Sequence, residues 1–177
     1  MSLGNGILHF YLTKMKKWKK IMAGCAAITL IIQLPVFAPQ KNYSEADPVY
    51  DIAKVYEVPM DVQMELYNSC YDCHSNYTKE YPWYYHIQPI SWWMARHVNQ
   101  AKAKLNFSEF ASYSPEEAAK KFNDIQDVME EKAMPIKPYL LMHDEARLTD
   151  DEYKGLAEWA THLHDKIMAK QDSMQKK

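Results

Sequence analysis

No charged residue falls between Ile21 and Ala38, a run of eighteen positions directly behind Lys16-Lys17-Trp18-Lys19-Lys20. A basic head before an apolar segment at the lower edge of spanning length predicts an uncleaved membrane anchor. Val36-Phe37-Ala38 resembles a cleavage site, but Pro39 is a poor residue after a cut. The lysines place residues 1–20 in the cytoplasm and everything after Ala38 outside. Met15 is a second candidate start, and Cys25 fits a buried apolar position of the anchor.

The pattern then turns polar. Residues 39–57, with Pro39, Asn42, Ser44, Asp47 and Pro48, predict a tether. From Val58 to Ala169 the period becomes helical. Val62, Leu66 and Cys70 recur every four residues behind Pro59, the stripe of a short amphipathic helix. Residues 75–88 are aromatic and irregular. A second helix starts near Pro89, with Ile90, Trp93, His97, Ala101 and Leu105 on one face. Ser114-Pro115-Glu116-Glu117 is a capping box with proline at the first helical position, leading into a stripe of Phe122, Ile125 and Met129. That helix must stop before Met134-Pro135. A proline-containing loop covers residues 133–148. Thr149-Asp150-Asp151-Glu152 is a second box, and Tyr153, Leu156, Ala160, Leu163 and Ile167 mark a last helix. Residues 170–177 read as a flexible tail. No stretch reads as a strand, so the fold class is all-α.

Composition narrows the class. A length of 177 residues suits one domain. Four Gly against eleven Met, thirteen Tyr and five Trp suit helices built around a large apolar ligand. The formal charge of −2 is uneven, because from Pro39 onward 16 basic residues face 23 acidic ones, a net of −7. An acidic exported domain is no nucleic-acid binder.

The chemistry sits in Cys70-Tyr71-Asp72-Cys73-His74, a single C-x-x-C-H, the spacing of c-type haem attachment. Two thiols a turn apart can add to two vinyl groups of one porphyrin, and the adjacent imidazole can reach the iron. A redox dithiol wants a βαβ surround, which is missing. A zinc module needs four ligands, and only a distant histidine could complete Cys70, Cys73 and His74. With no cysteine after Cys73, no disulfide framework competes for the pair. Attachment outside the cytoplasm agrees with the export segment. No Ser/His/Asp array, phosphate loop or carboxylate pair supports a hydrolase, since the acidic pairs sit at helix starts.

The sixth iron position has two candidates. Met134 stands in a loop, held extended by Pro135, and His/Met ligation raises a reduction potential. His97 is the rival, although a lone histidine on an apolar face is more often a hydrogen-bonded core residue. His86 and His143 come behind, with His143 read as packing below the loop. His162 and His164 read as surface residues, and His9 has no evident role. Trp83, Tyr84, Trp92 and Trp93 read as core and haem-pocket packing.

The chain resembles the single-haem cytochrome c-type family called the haem-binding domain. The likeness rests on Cys70-Tyr71-Asp72-Cys73-His74-Ser75-Asn76, Tyr81-Pro82-Trp83-Tyr84, Gln88-Pro89, Trp92-Trp93 and His97. It continues through Leu105-Asn106-Phe107-Ser108-Glu109 to Met134-Pro135, Tyr139 and His143, covering about residues 58–163. Phe110 stands where a Trp is common, a packing change. The resemblance implies a cytochrome c-like helical fold, export and one covalent haem c. The expectation is a membrane-tethered electron carrier for redox partner proteins, with Cys70, Cys73, His74 and Met134 holding the haem. The alternative is an open-site haem enzyme or gas or redox sensor tied to a peroxidase-type system. A two-haem peroxidase is disfavoured by the single motif.

Overall fold

A computed structural model describes residues 3–44, 48–79 and 81–175, with side chains from Met15 onward. Among them the regular elements are all helical. A lone antiparallel bridge pairs Tyr43 with Tyr77. The helices are α1 (Leu3–Ile31), α2 (Ile52–Val55), α3 (Met60–Ser69), α4 (Tyr71–His74), α5 (Ile90–Lys104), α6 (Pro115–Glu130), α7 (Lys137–Leu140) and α8 (Asp150–Gln175). They fall into two compact units. One holds Met1–Gln40 with Pro82–Met94, the other Lys41–Tyr81 with Ala95–Lys177.

The second unit carries the core. Its frame is the α6–α8 pair. Ser114 opens α6 with a complete capping box, its hydroxyl accepting from the Glu117 amide while the Glu117 carboxylate accepts from the Ser114 amide. Thr149 and Glu152 make the same reciprocal pair before α8. Phe122, Ile125 and Met129 of α6 meet Leu156, Trp159, Ala160, Leu163 and Ile167 of α8, and all are buried. The α6 end satisfies its carbonyls with a left-handed residue, Lys132 at φ 50, whose amide donates to Met129 O while Ala133 donates to Val128 O. Val62 and Leu66 of α3 join this core, as the four-residue spacing requires.

Two expectations change here. Residues 39–57 are no free tether. Ile52 of α2 is fully buried, Tyr56 packs edge-on against Phe110 and Phe122, and Trp159 Nε1 donates to Glu57 O at 3.1 Å. An isolated isoleucine and tyrosine in a polar stretch show no period, so only their long-range partners reveal them as core. The tail read from residue 170 continues α8 to Gln175, since nothing in its sequence breaks the helix. Asp47 of the supposed tether, residues 1–2 and residues 176–177 lie outside the described residues.

The first unit does not show the expected anchor. No helix among the described residues is long and apolar enough to cross a membrane. The apolar run is helical only from Ile21 to Ile31, about 16 Å at 1.5 Å per residue. Beyond it lie a turn and the 3-10 segment Pro35–Phe37, where two prolines limit the helix. Cys25 is exposed on α1. Reciprocal bonds tie Gln33 to Gln88, with Gln33 Nε2 donating to Gln88 O at 3.1 Å and the Gln88 amide donating to Gln33 Oε1 at 3.0 Å. Trp92 Nε1 donates to Phe37 O at 2.6 Å. The indoles expected inside a pocket are exposed, Trp83 by 70% and Trp93 by 45%. The packing of this unit covers Tyr85 and Gln88 instead.

Candidate metal centre

The motif is displayed at a break between two helices. Helix α3 ends as Cys70 leaves helical geometry (φ −122, ψ −40), and the single turn α4 begins at Tyr71. The Cys73 and His74 amides both donate to Cys70 O, at 3.1 and 2.9 Å, so both thiols and the imidazole belong to one tight turn. Neither thiol is in a disulfide. Burial pushes the Cys70 thiol up to about 12, with the neighbouring Cys73 adding to it. Cys73 rises to about 11, first by burial and then by the Asp72 charge. Both therefore persist as thiols.

His74 is oriented for ligation. Its Nδ1 lies 3.1 Å from the carbonyl oxygen of Leu105. A carbonyl only accepts, so Nδ1 carries the proton and Nε2 keeps a free lone pair for a metal. Burial pushes the His74 pKa down, which favours the neutral ring, while backbone hydrogen bonding at Leu105 and then Ala101 opposes this. A backbone carbonyl on the far nitrogen is the usual orienting partner of a ligating histidine.

The word Leu105-Asn106-Phe107-Ser108-Glu109 serves as the cradle of the motif. Asn106 Nδ2 donates to Asn76 Oδ1 at 2.8 Å, and Asn76 Nδ2 donates to Glu109 Oε1 at 2.6 Å. The Asn76 amide donates to Ser108 Oγ at 3.1 Å, and the Ser108 amide to Asn106 Oδ1 at 3.1 Å. Phe107 stacks on Tyr71 with centroids 5.3 Å apart and meets the His74 ring edge-on at 6.3 Å. From the other side, Asn42 Nδ2 donates to Ser75 O at 2.9 Å and to Thr78 Oγ1 at 3.0 Å, and the Asn42 amide bonds to the Tyr81 hydroxyl.

Asn76 and Asn106 belong to the motifs that carry the resemblance, but nothing in the sequence assigned them or Asn42 a bracing role. Asn106 had a legible signal, a polar residue between Leu105 and Phe107. Asn42 had none, because it lies in a polar stretch. Asn106→Ala is expected to destabilise the fold by about 2–3 kcal/mol, because Asn76 Oδ1 and the Ser108 amide lose partners in buried surroundings. Urea unfolding checks this, with the exposed Ser112→Ala as a control expected near zero.

Met134 is half-buried and packs against the core that Cys70 also touches. Its loop is tied to the motif through Tyr139, whose hydroxyl donates to Asp72 Oδ2 at 3.0 Å. His97 is half-buried on α5. Residues Ile90 and Trp93, expected on its apolar face, are exposed. His143 stacks on Tyr139 with centroids 4.3 Å apart and pairs with Glu145 at 3.0 Å, which agrees with packing below the loop. His86 and His162 are exposed, and His164 pairs with Asp165 on the surface. A cleft lined by Met129, Lys132, Tyr153 and Ala157 lies between α6 and α8 and includes none of the motif residues.

The donor set fits a covalently held haem: two unpaired thiols in one turn beside an imidazole with Nε2 available. No three His, Cys, Asp or Glu side chains among the described residues are grouped to hold a metal ion. The family described as the haem-binding domain matches residues 27–162. No curated protein matches the chain, and no solved structure does.

Proposed function

Because the chain belongs to the haem-binding domain family, we propose that it is an exported c-type cytochrome carrying one haem and passing single electrons between redox proteins. Haem binding is the family's property. The covalent attachment, the ligand set, the cytochrome c-like fold, the electron-carrier role and the outer location are this reading's additions.

One observation carries it. The His74 Nδ1–H bond to Leu105 O fixes the tautomer a ligand needs, one residue from Cys73 and one turn from Cys70. The Cys70 and Cys73 thiols would hold the porphyrin as thioethers, sulfur adding to one vinyl carbon and hydrogen to the other with no redox co-reactant. His74 Nε2 binds from the same turn. Met134, presented by a loop fastened to that turn, would supply a second ligand to the iron. Bound there, haem provides a one-electron ferrous/ferric couple. With His74 and Met134 both ligating, the chain would keep small molecules from the metal, the behaviour of a carrier rather than of an open-site enzyme or sensor. The Asn76–Asn106–Glu109 cradle holds the His74 ring still between oxidation states.

The lysine cluster followed by an apolar helix of eleven residues, Ile21 to Ile31, matches the basic and apolar regions of an export segment. It supports a haem domain on the outer side of the cytoplasmic membrane.

Cell fractionation followed by acid–acetone extraction tests the reading. The coloured protein is expected outside the cytoplasm, with its colour retained in the protein pellet. Haem passing into the solvent, or colourless protein containing zinc, would overturn it.

A further inference from the structure

We propose that Tyr139 is a positioning residue that latches the Met134 loop onto the Cys70–His74 turn and thereby sets how firmly Met134 holds the iron. The inference rests on the reading of Met134 as sixth ligand.

The latch is a hydrogen bond between distant parts of the chain. Tyr139 lies on α7, and its hydroxyl donates to Asp72 Oδ2 at 3.0 Å across a separation of 67 residues. Asp72 stands inside the motif, between the two cysteines, and cannot drift. Its Oδ1 accepts from the Lys79 amide at 2.9 Å, and its carbonyl accepts from Thr78 Oγ1 at 2.8 Å. The phenol is held from its other side by the stacked ring of His143. Burial and then the Asp72 charge raise its pKa, so it remains a donor across the physiological range.

The path from Tyr139 to Met134 is short and stiff. The intervening residues are Pro135, Ile136, Lys137 and Pro138. Two of the four have φ locked by their rings, so the segment transmits position better than an ordinary loop. Pro135 is itself buried, and the Tyr139 amide donates to Ile136 O at 3.0 Å, closing the turn. Breaking the latch would therefore let the Met134 end swing away without unfolding the α6–α8 core. A hydrogen bond to a carboxylate is strong enough to shift such an equilibrium about tenfold or more.

The test uses ferric holoprotein titrated with imidazole, which competes for the sixth position. Tyr139→Phe keeps the ring and its stack on His143 but removes the donor. Imidazole affinity is expected to rise about tenfold and the near-infrared sulfur–iron band to weaken. Asp72→Asn should act in the same direction, and the double variant should add little, as expected for one shared bond. Met134→Ala run beside them separates the two readings. If it abolishes the band while Tyr139→Phe leaves imidazole affinity unchanged, the latch is overturned and the ligand stands. A fall in melting temperature for Tyr139→Phe with unchanged imidazole affinity likewise marks a merely structural bond and overturns the latch. A band that survives Met134→Ala overturns the ligand assignment and the latch with it.

Discussion

Met134→Ala is expected to abolish the near-infrared sulfur–iron band of the ferric protein, lower its reduction potential and open the ferrous iron to carbon monoxide. Of the two thioethers in the 133–148 loop, Met142 is exposed and Met134 is packed against the core that Cys70 touches, and replacing Met134 removes the factor that favours the ferrous state. His97→Ala should leave the band in place. The opposite outcome, a low-spin site disrupted by His97→Ala and untouched by Met134→Ala, would replace the methionine with a second histidine while leaving electron transfer standing. A wild-type protein that is high-spin and binds carbon monoxide would instead favour the open-site reading. Because Met134 also packs on the core, the alanine variant should lose stability near the lower end of buried Met→Ala changes, about 2 kcal/mol. Melting followed in the ultraviolet separates that loss from the change at the iron.

Phe122→Ala should have the largest effect on folding. The ring is fully buried at the junction of four segments. It meets Tyr56 at 5.2 Å, Phe110 at 5.0 Å and Trp159 at 5.5 Å between centroids. Truncation removes the transfer free energy of the ring and leaves a cavity, together about 3–5 kcal/mol. That is a large part of a typical domain's stability, so the variant should melt far below the parent or fail to accumulate. Phe122→Leu, which fills most of the space, should recover much of the loss. If Phe122→Ala cost under about 1 kcal/mol, the packing of Tyr56 and Trp159 on this ring would be wrong.

These two residues also mark how far the sequence could be read. Phe122 was legible, because a capping box at Ser114 and a repeating apolar stripe fix both the start and the buried face of α6. The same local rules placed α3, α5 and α8, since caps and periodicity act within a few turns. The grouping of Cys70, Cys73 and His74 was legible for a related reason: three side chains confined to one turn need no tertiary information to be brought together. Tyr56 and Ile52 were illegible, because single apolar residues in a polar stretch have no period and become core only when Phe110 and α8 arrive. The length of the apolar run behind the lysines suggested a span, but composition cannot see where the helix stops, and Pro35 and the turn before it end α1 short.

By itself, then, the sequence determined that two thiols and an imidazole share one turn and which faces of α3, α6 and α8 would be buried, because both are local properties of spacing. Only the tertiary structure decided how the ligand is aimed. The Leu105 carbonyl selects the His74 tautomer from 31 residues away, Asn106 braces Asn76 from 30 residues away, and Tyr139 reaches Asp72 across 67. Hydrogen bonds over such separations leave no periodic trace in a sequence, since their partners are matched by the packing of α3, α6 and α8 rather than by their neighbours in the chain.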